Sequence, residues 1–239
     1  MQMLNRLNVT AIVPCHNEAR TIGEVLKVLT SSQWIYRVIV IDNCSTDGTG
    51  AVARKFNVKL VSNSRNLGKS GSIRKAMAHV RTAHVMLCDA DLKGLHRDSI
   101  ESLLKPLQKN SNMMVIGLRD GDWHRSRPLK GRNFTTWMIG GERVLRTAYL
   151  RAACRNPLSE DYGLEPVLNF YCKQKGIRVE AINLENVRDI SKLGKPAYGA
   201  IPLIKEVMNV VGTYAKLYAN EGVDSIAAYR RKPNARKRT

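Results

Sequence analysis

Two aspartates separated by one residue, Asp89 and Asp91, directly follow the apolar run His84–Cys88. Such a run is typical of a buried strand, so both carboxylates would stand where the strand ends. Carboxylates at this spacing can converge on one hard divalent cation, because such cations prefer oxygen ligands. The cation can then neutralise a diphosphate and stabilise it as a leaving group. A solvated turn is the simpler interpretation of an isolated Asp-x-Asp pair, but the position after a strand favours a metal site.

Three further polar segments contain residue types that suit a nucleotide. Asp42 ends the apolar run Arg37–Asp42, and its carboxylate could accept hydrogen bonds from a base or a ribose. The segment Val13–Glu18 ends an earlier apolar run. Lys69 lies in a glycine-bearing loop, Arg65–Ser72, that opens a helical pattern, and backbone N–H groups at a helix start can bind phosphate. The spacing of this loop differs from that of a P-loop, so the loop alone is weak evidence.

An alternation of strands and helices must position these residues. The predicted strands are Val9–Pro14, Arg37–Asp42, Val58–Ser62 and His84–Cys88, and the predicted helices between them are Thr21–Leu29, Gly50–Phe56 and Ser72–Arg81. This order predicts an α/β fold, with a mostly parallel sheet and helices on both faces. Ligands of such sheets gather at the carboxyl ends of the strands, where all the polar segments above would meet.

The second half of the chain is less regular. Predicted elements there are a helix at Ser99–Gln108, a strand at Met113–Leu118, a loop at Arg119–Asn133, a helix at Tyr162–Lys175 and a strand at Ile177–Leu184. An amphipathic helix is predicted from the spacing of Ile201, Ile204, Met208, Val211, Ala215 and Tyr218. We expect one domain over residues 1–229, with a nucleotide half at 1–110 and an acceptor half at 111–229, followed by a disordered basic tail at 230–239.

The chain has 239 residues, a formal net charge of +19, 44% hydrophobic residues and 25% charged residues. This composition is typical of a globular protein. No apolar run approaches the roughly 18–20 residues needed to cross a bilayer, and five scattered cysteines without a CxxC pair disfavour a disulfide framework. We therefore expect a cytoplasmic protein. Its positive charge suits an anionic partner, such as nucleic acid, an acidic membrane surface or a phosphorylated substrate.

Two segments concentrate the positive charge. Residues 119–155 hold nine Lys or Arg against three acidic residues, and the last ten residues hold six with no acid. Arginine forks bind phosphate oxygens in pairs, so the first segment suits a phosphorylated acceptor. A solvated basic loop explains any single arginine about as well.

Four motifs in order, AIVPCHNE, VIVIDNCSTDGT, NLGKSGSIRKAM and the DAD after HVMLC, resemble family 2 glycosyltransferases with the GT-A fold over roughly residues 8–110. The DAD variant, and ISKLG at Ile190–Gly194 preceded by Arg188, resemble the dolichyl- or polyprenyl-phosphate sugar synthases of that family. Two departures from those synthases leave another acceptor open. The stretch from Arg132 to Gly140 is short, and no transmembrane hairpin follows residue 194.

The resemblance implies a role for each matching residue. Those that would hold the nucleotide sugar are Pro14, Asn17, Glu18, Asp42, Lys69, Asp89, Ala90 and Asp91. Asp89 and Asp91 would also hold Mg²⁺ or Mn²⁺, with Asp91 acting in catalysis. The resemblance gives no third protein ligand; His124 is a candidate by residue type, although a lone loop histidine is more often solvated. Those that would surround an acceptor phosphate are Arg119, Arg132, Arg188 and Lys192, and the segment Gly140–Arg143 would line the sugar and acceptor side.

For two polar turns, Ser159–Gly163 and Ser45–Asp47, helix capping is a simpler explanation than a functional role. Asp161, in the sequence Ser159–Gly163, matches the acidic motif from which other family members draw a catalytic base for a hydroxyl acceptor. Glu160 and Asp161 could equally be the N-terminal cap of the next helix. Helix capping is also the default explanation for Ser45, Thr46 and Asp47.

We predict a metal-dependent glycosyltransferase that moves a sugar from a GDP- or UDP-sugar to a polyprenyl phosphate. It would act at the cytoplasmic membrane face, where the apolar face of helix 201–218 and the basic tail could contact anionic lipid. The alternative is a soluble family 2 enzyme that acts on a small acceptor, such as a glycerate or another hydroxyl. A nucleic-acid-binding protein is a remote third possibility, because no nucleic-acid motif is present and the aromatic residues do not interleave with the basic ones. We therefore expect no specific nucleic-acid partner.

Overall fold

The computed structural model describes residues 7–120, 141–190 and 208–219. Its strands are β1 (Val9–Cys15), β2 (Ile35–Asp42), β3 (Lys59–Ser62), β4 (His84–Leu87), β5 (Leu92–Lys93), β6 (Met114–Arg119), β7 (Arg143–Arg146), β8 (Val179–Leu184) and β9 (Arg188–Asp189). Its helices are α1 (Ile22–Ser31), α2 (Thr49–Ala53), α3 (Gly68–Ala76), α4 (Arg97–Lys109), α5 (Thr147–Cys154) and α6 (Leu164–Gln174), and residues 208–219 are helical as well.

Seven strands form one mostly parallel sheet in the order β3-β2-β1-β4-β7-β6-β8. Strands β3, β2, β1 and β4 pair in parallel, as predicted, while β7 runs antiparallel to both of its neighbours, β4 and β6. The register places Cys15 opposite Asp42 and Asp42 opposite Ser62, so the carboxyl ends of the first three strands are level. Strands β5 and β9 form a separate antiparallel pair.

Helices cover both faces of the sheet, because the central strands are apolar on both sides. Val13 of β1 belongs to a buried cluster with residues of α1, α2 and α4, whereas its neighbour Ile12 belongs to a cluster with residues of α3, α5 and α6. Successive side chains of a strand point to opposite faces, which divides one continuous apolar run between two cores. The predicted placement of helices on both faces of the sheet is confirmed.

Several element boundaries differ from the sequence prediction. Helix α3 begins at Gly68 rather than Ser72, so the glycine-bearing loop forms the first turn of the helix. Strand β7 and helix α5 were not predicted, because β7 is four residues long and has an arginine at each end. Arg143 is nevertheless fully buried, where its guanidinium donates to Asn169 Oδ1 over 2.7 Å.

The helix at residues 208–219 packs through a different stripe from the one predicted. Val210, Tyr214 and Leu217 are buried against the core, whereas the predicted positions Met208 and Val211 are 66% and 58% exposed. The predicted position Tyr218 packs partly against the core, so the predicted stripe lies between the buried face and solvent. Positions 201–207 and the tail lie outside the described residues. None of the described helices combines the length and the apolar character needed to cross a membrane.

The buried hydroxyl of Tyr214 is expected to anchor this helix. Asn169 Nδ2 donates to it over 2.8 Å, and both residues are buried. Tyr214→Phe leaves that amide without its acceptor, so we expect the free energy of unfolding to fall by about 1–2 kcal/mol. Urea unfolding followed by circular dichroism measures the change. Tyr36→Phe is the matched control because Tyr36 is 64% exposed, and equal effects of the two substitutions would contradict the anchoring role.

Candidate active site

The aspartate pair lies where β4 meets the two-stranded sheet. Cys88 N still donates to Ile12 O of β1, and Asp89 follows directly. Strand β5 begins one residue after Asp91 and pairs with β9, while Ile190 N donates to Asp91 O over 3.2 Å. The backbone on both sides of the pair is therefore held by strand pairing, and the predicted position at a strand end is confirmed.

Two cationic side chains contact the Asp89 carboxylate. Lys69 Nζ lies 2.7 Å from Asp89 Oδ1, and Arg119 Nη1 lies 3.5 Å from Oδ2. Burial alone would lower the pKa of Lys69, but the carboxylates of Asp89 and Glu165 outweigh it and raise that pKa above its ordinary value. Lys69 therefore stays charged and is held against the Asp89 carboxyl group at the carboxyl edge of the sheet.

Gly141 passes directly against the same carboxylate. A Cβ atom at position 141 would lie 2.2 Å from Asp89 Oδ2, which is far inside van der Waals contact. Any larger residue would displace Asp89. The predicted Gly140–Arg143 segment thus reaches the site through Gly141, while Gly140 lies outside the described residues.

Glu142 is a fully buried carboxylate beside the pair, and sequence reasoning gave it no role of its own. Neither of its oxygens accepts a hydrogen bond, and Arg119 Nε lies 3.7 Å from Oε2. Burial raises the pKa of Glu142 to about 7, and Arg119 opposes that shift. Nothing in the local sequence predicts that Glu142 is buried. Its burial depends on β7, which follows it and lies between β4 and β6 in the sheet.

Glu165, on the first turn of α6, is a second residue that sequence reasoning missed. Its Oε1 lies 3.2 Å from Lys69 Nζ, and the residue is 9% exposed. The carboxylate acts electrostatically on the buried Arg143, where it opposes the lowering of the Arg143 pKa by burial. Glu165 therefore interacts both with Lys69 at the site and with Arg143 in the core.

The carboxylate of Asp42 lies at the end of β2, as predicted, and is mostly buried. Its Oδ1 accepts a hydrogen bond from Ser45 N over 3.0 Å. A Cβ atom on Gly50, in the first turn of α2, would lie 2.7 Å from Oδ2, so a larger residue there would have to displace the Asp42 carboxyl group. Pro14 is half-buried in the adjacent strand, and the side chain of Ala90 packs in the core.

The turn after Asp42 is bonded to the loop after β1, and of the three predicted caps only Asp47 also accepts from the first residue of α2. Asn17 N donates to Ser45 Oγ, and Thr46 N donates to Asn17 Oδ1. Asp47 accepts from Ala19 N and from Thr49 N, while the cap position, Gly48, has no side-chain bond. Capping is therefore the wrong explanation for Ser45 and Thr46, because Asn17, in the left-handed region at φ 57°, takes their polar groups. Glu18 N is likewise bonded to Thr49 Oγ1.

The side chain of Asn43 joins the end of β2 to the loop between β3 and α3, and no sequence signal identified it. Its Oδ1 accepts from Leu67 N over 2.8 Å and from Asn63 Nδ2 over 2.9 Å, and its Nδ2 donates to Asn66 Oδ1. The loop before α3, which carries Lys69, is thereby fixed relative to the end of β2.

The predicted acceptor residues are only partly within the described chain. Arg119, 13% exposed, contacts Glu142 and Asp89 and lies 3.9 Å from Asp189 Oδ2. Arg188 is exposed on β9, where its backbone pairs with Lys93. The other predicted residues of this side, Arg132, Lys192 and the candidate metal ligand His124, lie outside the described residues. Within residues 7–120, 141–190 and 208–219, no cluster of three or more His, Cys, Asp or Glu could hold a metal ion.

Asp161 lies next to the loop that carries Lys69. Its backbone carbonyl accepts from Ser70 Oγ over 2.6 Å, and its Oδ1 is 3.9 Å from the point that a Cβ on Gly68 would occupy. Asp161 is exposed and has φ 48°, while α6 begins at Leu164 without a side-chain cap. The capping explanation for Glu160 and Asp161 is therefore wrong.

Comparison with known proteins identifies the family and the fold of this chain. The model of the family described as "Glycosyl transferase family 2" matches residues 10–182. The 4,4'-diaponeurosporenoate glycosyltransferase of Staphylococcus aureus strain bovine RF122 is 31% identical over 120 residues, which are 48% of this chain and 32% of that protein. The chain thus spans about a third of the length of this relative. The same enzyme from strain MRSA252 matches with the same identity and coverage.

Among solved structures, the fold resembles glucosyl-3-phosphoglycerate synthase from Mycobacterium tuberculosis in complex with Mn²⁺, uridine-diphosphate-glucose and phosphoglyceric acid. The TM-score is 0.73 at 21% sequence identity, over 88% of this chain and 79% of that one. The complex of the same synthase with Mg²⁺ and uridine diphosphate gives a TM-score of 0.72 at 20% identity, over 88% of this chain and 79% of that one. At this identity the likeness concerns the fold, and the predicted GT-A-like architecture is confirmed.

The burial of Glu142 predicts a dependence of stability on pH. Its pKa is about 7 in the folded protein and 4.5 ordinarily, so the folded state binds the extra proton between those values and loses stability as pH rises through them. Relative to Glu142→Gln, the wild type should lose about 3 kcal/mol of unfolding free energy from pH 4.5 to pH 7 and above. Urea unfolding at a series of pH values in EDTA measures both proteins.

Glu180→Gln is the control for this experiment, because Glu180 is in an exposed ion pair with Arg178. Its pH profile should run parallel to that of the wild type. A parallel profile for Glu142→Gln as well would show that Glu142 titrates normally.

Proposed function

This chain belongs to glycosyl transferase family 2, and we propose that it transfers a sugar from a nucleoside-diphosphate sugar to a hydroxyl of a small anionic acceptor. The observation that carries the proposal is the Asp89–Asp91 pair at the carboxyl edge of the sheet, with Lys69 and Arg119 against it. Charged groups of both signs at one edge suit a substrate that brings both a diphosphate and a metal ion.

The donor set at this edge fits Mg²⁺ or Mn²⁺. Asp89 and Asp91 supply carboxylate oxygens, the ligand type that hard divalent cations prefer. Gly141 leaves the space beside Asp89 that a Cβ would fill. Bound there, the cation would neutralise charge on the diphosphate as it leaves.

The chain's own residues would bind and orient the donor. Asp42, Asn17 and Glu18 stand together on the loops after β1 and β2 and would hold the nucleoside. Lys69, in the first turn of α3, adds an ammonium to the N–H groups of that helix start and would hold the diphosphate. Arg119 would serve the acceptor side, where a guanidinium binds a phosphate or carboxylate through paired hydrogen bonds.

A small acceptor is favoured over a polyprenyl phosphate by the likeness of fold. The synthase that matches 88% of this chain was crystallised with phosphoglyceric acid. A polyprenyl phosphate acceptor and contact with a membrane stay predictions, because the ISKLG segment lies almost entirely outside the described residues, as do residues 121–140. Among the described residues, the exposed apolar side chains of Met208 and Val211 favour lipid contact.

Thermal denaturation with Mn²⁺ and a set of UDP-, GDP- and dTDP-sugars tests the donor site. A ligand at about 100 times its Kd stabilises the folded state by about 2.7 kcal/mol, so we expect one nucleotide series to raise Tm by about 5–10 °C. Asp91→Asn should remove that rise and lower kcat/KM by about a hundredfold or more, since it removes one of two anionic ligands. No rise with any nucleotide sugar would contradict the proposal.

The acceptor is tested by product formation with 3-phosphoglycerate and with a short-chain polyprenyl phosphate, each with the donor that the thermal screen selects. Transfer to the glycerate is expected. Transfer to the polyprenyl phosphate alone would support the lipid prediction instead.

Asp161 is proposed as the base that takes the proton of the acceptor hydroxyl. Asp161→Asn keeps the size of the side chain and removes the base, so kcat should fall by about 10²- to 10⁴-fold with little change in the KM for the donor. Glu160→Gln is the matched control on the neighbouring residue, which is in an exposed ion pair with Arg74. An unchanged kcat for Asp161→Asn would indicate an acceptor whose own anion attacks the sugar.

A further inference from the structure

Lys69 and Arg119, the two positively charged side chains at Asp89, each have another carboxylate partner. Lys69 Nζ is 2.7 Å from Asp89 and 3.2 Å from Glu165. Arg119 is 3.5 Å from Asp89 through Nη1 and 3.7 Å from Glu142 through Nε, with Asp189 at 3.9 Å. The positive charges are therefore shared between Asp89 and the glutamates behind them.

The three carboxylates differ in their access to solvent. The side chain of Asp89 is 19% exposed, whereas that of Glu165 is 12% exposed and that of Glu142 is fully buried. An ion from solution can thus reach Asp89 more easily than either glutamate. The glutamates are available chiefly to Lys69 and Arg119.

The glutamates can accept more from these cations than they do now. The oxygens of Glu142 have no hydrogen-bond partner, and the 3.7 Å separation from Arg119 Nε is longer than a hydrogen bond. Glu142 lies directly before β7, and Glu165 lies in the first turn of α6, so both carboxylates are attached to fixed elements. A small movement of Lys69 or Arg119 away from Asp89 would shorten its existing ion pair with Glu165 or Glu142.

We propose that Glu165 and Glu142 are positioning residues that hold Lys69 and Arg119 when a divalent cation occupies Asp89. The inference rests on the proposed function, because it concerns the same cation site. Without Glu165, a cation that binds Asp89 would take from Lys69 the carboxylate it is paired with in a poorly hydrated site, which is strongly unfavourable. Without Glu142, the same cation would weaken the ion pairing of Arg119, which would still have Asp189 at 3.9 Å. With both glutamates, the two side chains keep a partner and stay directed at the diphosphate and the acceptor.

A double-mutant cycle on Lys69 and Glu165 tests the proposal. The Kd for Mn²⁺ alone is measured by electron paramagnetic resonance for wild type, Glu165→Gln, Lys69→Met and the double variant. Glu165→Gln should weaken Mn²⁺ binding about tenfold, the size expected for losing a hydrogen-bonded charged partner. Lys69→Met should tighten binding, because it removes a competitor for Asp89.

The double variant separates positioning from simple attraction. If Glu165 acts through Lys69, Glu165→Gln has no effect on the Mn²⁺ affinity in the Lys69→Met background. If Glu165 attracts the metal directly, its effect persists or grows there, because Lys69 no longer screens it, and the proposal is overturned. Glu180→Gln removes one carboxylate from another ion pair and should leave the Kd unchanged.

A second cycle, with Glu142→Gln and Arg119→Met, keeps the proposal testable if a Lys69 variant fails to fold, which its Tm reveals. The same loss of effect is expected in the Arg119→Met background, and additive effects would overturn the proposal. Asp91→Asn distinguishes failure of the proposed function from failure of the positioning role of the glutamates. Failure of wild type to bind Mn²⁺, or Asp91→Asn binding it equally well, would overturn the proposed function and this inference together, whereas a normal Asp91→Asn loss with additive cycles would overturn this inference alone.

Discussion

The site depends on one carboxylate that is held at the end of a buried strand. Asp89 follows β4, the strand at the junction between the parallel part of the sheet and the antiparallel strand β7. Its charge is balanced by Lys69 from the first half of the chain and by Arg119 from the second. The anion therefore brings the two halves together electrostatically, while Gly141 sets how closely the backbone of the second half can approach.

The edge beside Asp89 is rigid for a different reason, which is hydrogen bonding between loops. Asn43 bonds the loop before α3 to the end of β2, and Asn17 bonds the loop after β1 to the turn at Ser45 and Thr46. Loops are usually more mobile and more variable than the elements that they connect. Here their polar side chains bond to one another, so the proposed nucleotide pocket has preformed walls.

Much of the first half was predictable from the sequence because its signals are local. Apolar runs such as Arg37–Asp42 give the buried parallel strands, and the residue after each run then falls at the carboxyl edge. The second half was harder because its decisive interactions are not local. Arg143 has the residue type of a surface position, yet it is buried, where it donates to Asn169 and interacts electrostatically with Glu165. Glu142 is buried because the adjoining strand β7 lies between β4 and β6. The cap interpretation of Ser45 and Thr46 failed for the same reason, since their partner Asn17 is almost 30 residues away.

The antiparallel course of β7 has a consequence for how such a protein can change. Strand β6 ends at Arg119 and β7 begins at Arg143, and because β7 runs the opposite way, both residues stand at the carboxyl edge of the sheet. The connection between them therefore leaves and re-enters the fold at the site itself. Evolution could lengthen, shorten or exchange that connection, and with it the surface presented beside Asp89, without altering the pairing of any strand.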